Sequence, residues 1–332
     1  MGLIHIEKKI GTPKYKQIIS SIEDAIISGT LRKGDQLPSL NSIRDVHKVS
    51  RDTVLTAFSE LKTRGIIQSV VGKGYYILNE TIALQQKVFL LFDEFNSFKE
   101  DLYNAFIQQF DENVRVDIYF HHFNENIFSK LITENIGAYN YYVVMPANLK
   151  NVHLTLAKLP IEKVYVLDQT RPELANYAGV FQNFEQNIFS NLSSALPLLE
   201  KYKKLILLYD ENKQPQGLYD GFYKFCRSKG MANEIISSLK NRPIDKGTVY
   251  VIPDDKNLLR LIKKINEESL ILAKDIGVIS YNDTLLKEIV AGGITTISTD
   301  FTEMGKRMAQ MILNKEHGHI ENAHHLILRN SL

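Results

Sequence analysis

The chain has 332 residues, 44% apolar and 23% charged, enough material for two or three packed cores. Its single cysteine, Cys226, excludes an internal disulfide. No apolar run approaches the roughly 18 residues of a membrane span, and Met1–Lys9 holds no secretory apolar region. A reduced, cytoplasmic setting and no membrane partner are therefore expected. The net charge of +2 is uneven. Residues 1–80 hold 12 Lys/Arg against 8 Asp/Glu (+4), and the remainder 28 against 30 (−2), which hints at a polyanion partner for the N-terminal part.

Pro13 opens a first helix with Ile18, Ile22, Ala25 and Ile26 on one face, and Gly29 ends it. The turn-rich connector "LRKGDQLPS" follows. Ser39 is placed to cap a short helix carrying Leu40, Ile43 and Val46. Ser50 is placed to cap the next by accepting hydrogen bonds from free first-turn amides. In that third helix Val54, Ala57, Phe58 and Leu61 recur at i, i+3, i+4 and i+7 and must face a core. Two β-type runs, "IIQSV" and "YYIL", flank Val71-Gly72-Lys73-Gly74. Three helices and a hairpin make a winged helix-turn-helix. With the apolar stripe inward, Arg51, Thr53 and Thr56 project from the start of the third helix. That is where a helix in the major groove reaches base edges. Lys73 suits a phosphate, and Gly72 and Gly74 let the wing backbone approach DNA.

This string resembles the DNA-binding domain of the GntR family of bacterial transcription regulators over roughly residues 10–78. The shared residues are the turn Gly34, Leu37, Pro38 and Ser39, the helix start Val49, Ser50, Arg51, Thr53 and Val54, and the wing Gly72, Lys73 and Gly74. The resemblance implies a double-stranded DNA operator as partner. It implies contacts from Ser39, Arg44, Ser50, Arg51, Thr53, Thr56, Lys73 and Gly74. The sequence departs from the family at Asn41, where an arginine is usual; Arg44, nearly a turn on, is the candidate replacement.

Residues 79–87, "NETIALQQK", read as a linker. Short apolar runs then alternate with helical patterns. Strands are expected at 88–92, 114–120, 141–145, 163–167, 205–209, 234–237, 248–252 and 277–280. Helices are expected at 98–110, 127–134, 187–202, 218–228 and 258–268. The alternation predicts parallel sheets covered on both faces, with ligands at the carboxyl ends of the strands. The whole chain is thus expected to be α/β: a winged helix-turn-helix at 1–78, the linker, and a two-lobed body at 88–332.

The segment "DIGVISYNDTLLKEIVAGGITTISTDFTEMGKRMAQMIL" resembles the LacI/GalR regulators and periplasmic sugar-binding proteins. It carries Ser280-Tyr281-Asn282-Asp283, Thr295-Thr296-Ile297 and Met304-Gly305. A GntR-like head on a LacI-like body resembles the arabinose repressor type. This resemblance implies a homodimer controlled by a small molecule, a carbohydrate, bound between two lobes. It places Asn282 and Asp168 on sugar hydroxyls, Asn183 at a lobe crossover, and Phe98 as a stacking ring. Glu94 and Asn96 sit in the same loop as Phe98. Arg171 is a candidate bidentate donor, and Asp254 another polar contact. Two positions depart from the family: Leu218 where an arginine is usual, and Pro253 where an asparagine is expected.

No dinucleotide or triphosphate motif and no nucleophile elbow is present, so no cofactor and no catalysis are expected. His121-His122, His317-x-His319 and His324-His325 lack the companions of a metal site and read as exposed loop and strand residues. Cys226 reads as packed and inert. The competing readings are a GntR-type regulator sensing a non-sugar metabolite and an α/β enzyme with an accessory winged helix.

Overall fold

A computed structural model describes residues 3–6, 12–79, 86–240 and 242–332. Residues 80–85, most of the expected linker, lie outside the described residues.

The head is built from α1 (Lys14–Ile27), α2 (Leu40–His47), α3 (Arg51–Thr63) and the antiparallel hairpin β1 (Ile67–Val70) and β2 (Gly74–Ile77). Its core closes over Ile18, Ile22, Val54, Ala57, Phe58 and Leu61, each fully buried. That is the stripe expected of α1 and α3. Val46 departs from the apolar pattern of α2: it is 69% exposed, because only Ile43 of that short helix turns fully inward. Phe58 meets Tyr75 edge-on at 4.8 Å and ties α3 to the wing. The connector before α2 is pinned to the same strand, since Leu37 N donates to Tyr75 O and Gly34 N to Ile77 O.

Two lobes follow. The first holds β3 (Gln86–Phe92), α4 (Ser97–Ile107), β4 (Val114–Phe120), α5 (Glu125–Glu134), β5 (Tyr141–Val144), α6 (Val152–Leu156), β6 (Val164–Asp168) and β7 (Ala178–Phe181). The chain then enters the second lobe. There it forms α7 (Phe184–Ser194), α8 (Leu196–Leu199), β8 (Lys204–Leu208), α9 (Gln216–Lys229), β9 (Ala232–Ile236), β10 (Thr248–Ile252), α10 (Asp255–Glu267), β11 (Ile276–Tyr281), α11 (Leu285–Ile289) and β12 (Thr295–Thr299). Helix α12 (Phe301–Leu313) returns to the first lobe, β13 (His319–Glu321) joins the first sheet, and β14 (His324–Ile327) joins the second. The sheet orders are β13-β7-β6-β5-β3-β4 and β14-β12-β11-β10-β8-β9. Every pairing is parallel except β12 with β14.

Unbroken apolar strands explain the layering. Val88, Phe89, Leu90, Leu91 and Phe92 are all fully buried, so both faces of β3 are covered by helices. Helix α12 returns because Met304, Met308, Met311 and Ile312 complete the first-lobe core with Leu102 and Phe106 of α4. The two helices touch at Gly305, where an added Cβ would lie 2.3 Å from Leu102 O. Among the described residues no helix is long and apolar enough to cross a membrane.

Strands at 114–120 and 248–252 form as expected, and the other six expected strands differ only at their ends. The expected helix 187–202 is instead split at Ala195 into α7 and α8, with Pro197 at the start of the second. Strands β7, β13 and β14 were not expected, being short and without an apolar run long enough to stand out from loops. His121 corrects the exposed reading of the histidine pairs. It is fully buried, with Nε2 3.0 Å from Met145 O, and burial pushes its pKa below the usual histidine range.

Candidate functional site

The head presents one polar face. Ser50 caps α3: its Oγ accepts from Thr53 N at 3.1 Å and lies 2.8 Å from Thr53 Oγ1. Thr56 Oγ1 donates to Asp52 O at 2.8 Å. Ser39 caps α2 by accepting from Ser42 N at 3.1 Å. The hydroxyls of these four residues thus all have local partners. Arg51 is different: it is exposed on the first turn of α3 and has no hydrogen bond or ion pair among the described residues.

Arg44 holds neighbouring Asp45 through Nε at 2.7 Å and Nη2 at 3.1 Å, and this pair raises the guanidinium pKa and lowers that of the carboxyl. To stand in for the arginine absent at Asn41, it must exchange Asp45 for a phosphate. The wing turn is fixed from beneath. Lys73 O accepts from Gln36 Nε2 at 2.6 Å and from Tyr76 Oη at 3.4 Å, and Lys73 itself is exposed. Gly72 and Gly74 have φ of +72° and +110°, a region that glycine enters without steric cost. Val71 at the tip is 99% exposed. Sequence reasoning passed over Gln36, Tyr76 and Val71; the wing-facing role of Gln36 requires a contact 37 residues away.

A second candidate site lies where the carboxyl ends of the two sheets meet. Three segments connect the lobes: residues 182–183, 299–301 and 322–324. They are stitched together. Asn322 Nδ2 donates to Thr299 Oγ1 and to Asp300 O, each at 2.8 Å. Thr299 Oγ1 donates to Ala323 O at 2.9 Å, and Asn322 N to Phe181 O at 2.8 Å. These bonds tie the three crossings to one another. At the rim the lobes touch. Asn148 Nδ2 donates to Glu211 O at 3.0 Å and Gln214 O at 2.5 Å, and Lys213 Nζ sits 5.7 Å from the centre of the Phe123 ring.

The structure sorts the expected ligand residues into different roles. Asp168 ends β6 with φ +75° and is buried; Gln182 Nε2 donates to its Oδ1 at 2.5 Å. Burial pushes its pKa up to about 6; Lys99 opposes the shift and Asp93 adds to it. The Tyr281 phenol, buried at the end of β11 in the other lobe, interacts electrostatically with this carboxyl, and burial drives its own pKa upward. Asn282 has φ +61°, and its buried Oδ1 has no partner among the described residues. Glu94 is half-buried with no hydrogen bond to its carboxylate among the described residues.

Others are occupied. Asn96 caps α4 on Lys99 N at 3.2 Å, and Asn183 caps α7 on Gln186 N at 3.3 Å. Asp254 has both oxygens taken, by Asn257 N and Asn257 Nδ2 at 2.9 Å each. Arg171, expected as a bidentate donor, has a buried Nε with no hydrogen-bond partner among the described residues. Its Nη2 braces the loop after β5 through Leu149 O at 2.7 Å and Ala147 O at 3.4 Å. Phe301 packs on Phe98, the expected stacking ring, with centroids 4.7 Å apart. In the same loop Phe95 is the exposed ring.

Sequence reasoning missed Asp93, Lys99, Gln182, Tyr281 and Lys287. Lys99 is buried against Asp93. Lys287, 1% exposed, donates to Tyr281 O at 2.8 Å and Asn282 O at 2.6 Å and pairs with Asp255 at 3.1 Å. It thereby holds the turn that carries Asn282. Asp93 and Gln182 stand at strand ends and were legible there; nothing local marks a lysine as buried.

Comparison with known proteins fits this geometry. Residues 14–77 match the gntR family of bacterial regulatory proteins, and residues 199–332 match the periplasmic binding protein-like domain. The chain therefore joins a GntR-type winged helix-turn-helix to a periplasmic-binding-protein-like body. It is similar along most of its length to the arabinose metabolism transcriptional repressor of Geobacillus stearothermophilus, at 21% identity over 91% of this chain and 90% of that one. The head is similar to the transcriptional repressor YtrA of Bacillus subtilis, at 35% identity over 23% of this chain. The match spans 58% of YtrA. A LacI family regulator from Lactobacillus casei with bound glucose shares the body's fold, with a TM-score of 0.60 and 12% identity over 75% of this chain and all of that one.

Proposed function

We propose that the chain is a ligand-responsive transcription regulator. Its head reads operator DNA through α3 and the wing, and its body closes on a small polyhydroxyl solute between the lobes. The observation that carries this reading is the pairing, in one chain, of an exposed Arg51 without a partner among the described residues and a body whose two lobes are joined by three stitched crossings. Arg51 can donate twice to a guanine, the amides at the start of α3 favour a phosphate, and Lys73 adds a second phosphate contact. Ser39, Ser50, Thr53 and Thr56 retain lone pairs or hydroxyl protons for backbone contacts, and Gly74 lets the wing approach.

The names of the relatives support the same reading: one represses arabinose metabolism, and a structural neighbour holds glucose. The division is residues 1–78 for the head, 79–87 for the linker and 88–332 for the effector body. Asp168, Asn282 and Glu94 are assigned to the solute. One recognition helix reads only a few base pairs, so the active form is a homodimer on a palindromic site, in the cytoplasm where the DNA is. Closure alters the spacing of the two heads, and the coupling is reciprocal: a solute that loosens DNA is itself loosened by DNA, by about 1–3 kcal/mol. The test is selection of a DNA site from random sequence, followed by anisotropy titration of that site with and without sugars. A selected palindrome whose affinity shifts with a sugar supports the proposal; failure to enrich any sequence ends it.

A further inference from the structure

The head and the first lobe meet at the strand-start end of that lobe, away from the end where the lobes join. The lobe offers the start of β3 and the turn from α5 into β5, with Lys87, Gly137 and Asn140. The head turns α1 towards it, and Thr12, Gln17 and Asp24 stand along the shared groove of about 380 Å³. The fit is closest at Gly137. A Cβ built there would lie 2.3 Å from Thr12 Cγ2 and 3.2 Å from Thr12 Cβ. The threonine methyl thus fills the space that any other side chain would need. Gly137 also has φ +71°, in the left-handed turn that follows α5.

Each side of this contact is braced from within its own unit. Gln17 Nε2 donates to Thr12 O at 2.8 Å. Lys87 N donates to Asn140 Oδ1 and Asn140 N to Lys87 O, both at 2.8 Å. Tyr142 Oη donates to Asn135 O at 2.6 Å. Charge is felt across the groove as well: burial first, and then the Asp24 carboxylate of α1, raises the pKa of the Tyr141 phenol of β5. No ion pair crosses the groove among the described residues, so the contact is of the small, polar kind that separates and re-forms. The second lobe contributes nothing to the groove, and neither do Arg51, Thr53, Thr56 and Lys73.

We propose that the strand-start face of the first lobe is a docking surface for the head of the same chain, latched by Thr12 over Gly137. The docked head keeps its polar face open and is carried by the first lobe alone, so a shift between the lobes moves the second lobe against the head. This goes beyond the regulator reading, and its test uses neither DNA nor sugar, so either can fail without the other. Cβ atoms 3.2 Å apart lie close to the span of about 3.5–4.5 Å that a disulfide bridges, and the native Cys226 is fully buried. In the full chain, Thr12→Cys/Gly137→Cys should close to a monomeric, reducible cross-link under mild oxidation. Thr12→Cys paired with Leu259→Cys, on α10 of the second lobe, should not. Cross-linking no faster than in that control pair overturns the proposal.

Because a side chain at Gly137 is strained by its backbone, a second measurement leaves that position native. A dye on Val71→Cys, 99% exposed at the wing tip, reports the tumbling of the head by time-resolved anisotropy. The head should tumble with the body. Thr12→Arg, which drives a long side chain into the contact, should shorten the correlation time several-fold, since residues 1–78 are about a quarter of the chain. A correlation time already short in the parent, or unchanged by Thr12→Arg, overturns the docking.

Discussion

Gln182, where the chain first leaves the first lobe, donates its amide to Asp168 Oδ1 at 2.5 Å and ties that crossing to a buried carboxyl. Burial raises the Asp168 pKa from 3.8 to about 6. The folded protein thus keeps a proton that the unfolded chain releases at lower pH, so this group's contribution to stability declines as pH rises from about 4 to about 6. Above that window the cost is complete. Asp168→Asn removes it, and asparagine tolerates the left-handed backbone at this position. At pH 7.5 the variant without ligand should be more stable by up to about 3 kcal/mol, with the gain gone below pH 4. Urea unfolding followed by circular dichroism at both pH values measures this; equal stability at pH 7.5 rejects the assignment.

Arg51→Ala should lower affinity for the selected DNA site by about 1–3 kcal/mol and broaden base preference at one position. Because Arg51 has no partner among the described residues, the folded head loses no contact of its own. A repeat of the site selection with the variant decides it, and an unaltered consensus removes Arg51 from base reading.

Lys73→Ala should weaken all DNA sequences alike. The slope of log affinity against log salt should fall by about 0.9, the value for one released phosphate counterion. Titrations at several salt concentrations measure the slope, and no change would show that Lys73 stays in solvent when DNA is bound.

Asn322→Ala strips donors from Thr299 Oγ1 and Asp300 O, both at the crossings. Asp300 O keeps Met304 N, so the loss falls on the buried Thr299 Oγ1 and should cost about 1–3 kcal/mol. Thermal melting of the variant tests it. A loss well under that range would mean that water replaces the amide and that the crossings are not held through this side chain.

Much of the architecture was readable along the chain. The caps at Ser39 and Ser50 act on amides three residues away, and the stripe Val54, Ala57, Phe58, Leu61 repeats within one helix. Apolar runs such as 88–92 and 248–252 announce buried parallel strands for the same local reason. By similar logic Asn96, Asn183 and Asp254 could have been read as helix caps, since each precedes a helix by one residue. The attraction of a polar residue at a strand end hid that reading.

The sequence by itself determined the two kinds of unit in this protein, because helix periodicity, strand composition and capping depend on near neighbours in the chain. Only the tertiary structure decided which polar side chains at the strand ends remain free. Lys99 is silenced by Asp93, and Arg329 by Asp283 46 residues away. Arg171 is turned to the backbone, while Asn282 keeps an unpaired oxygen. The return of α12 to the first lobe and the stitching of the three crossings belong to the same class. They arise where distant segments meet, and burial there forces every charge and hydrogen-bonding group to find a partner or to stand ready for one.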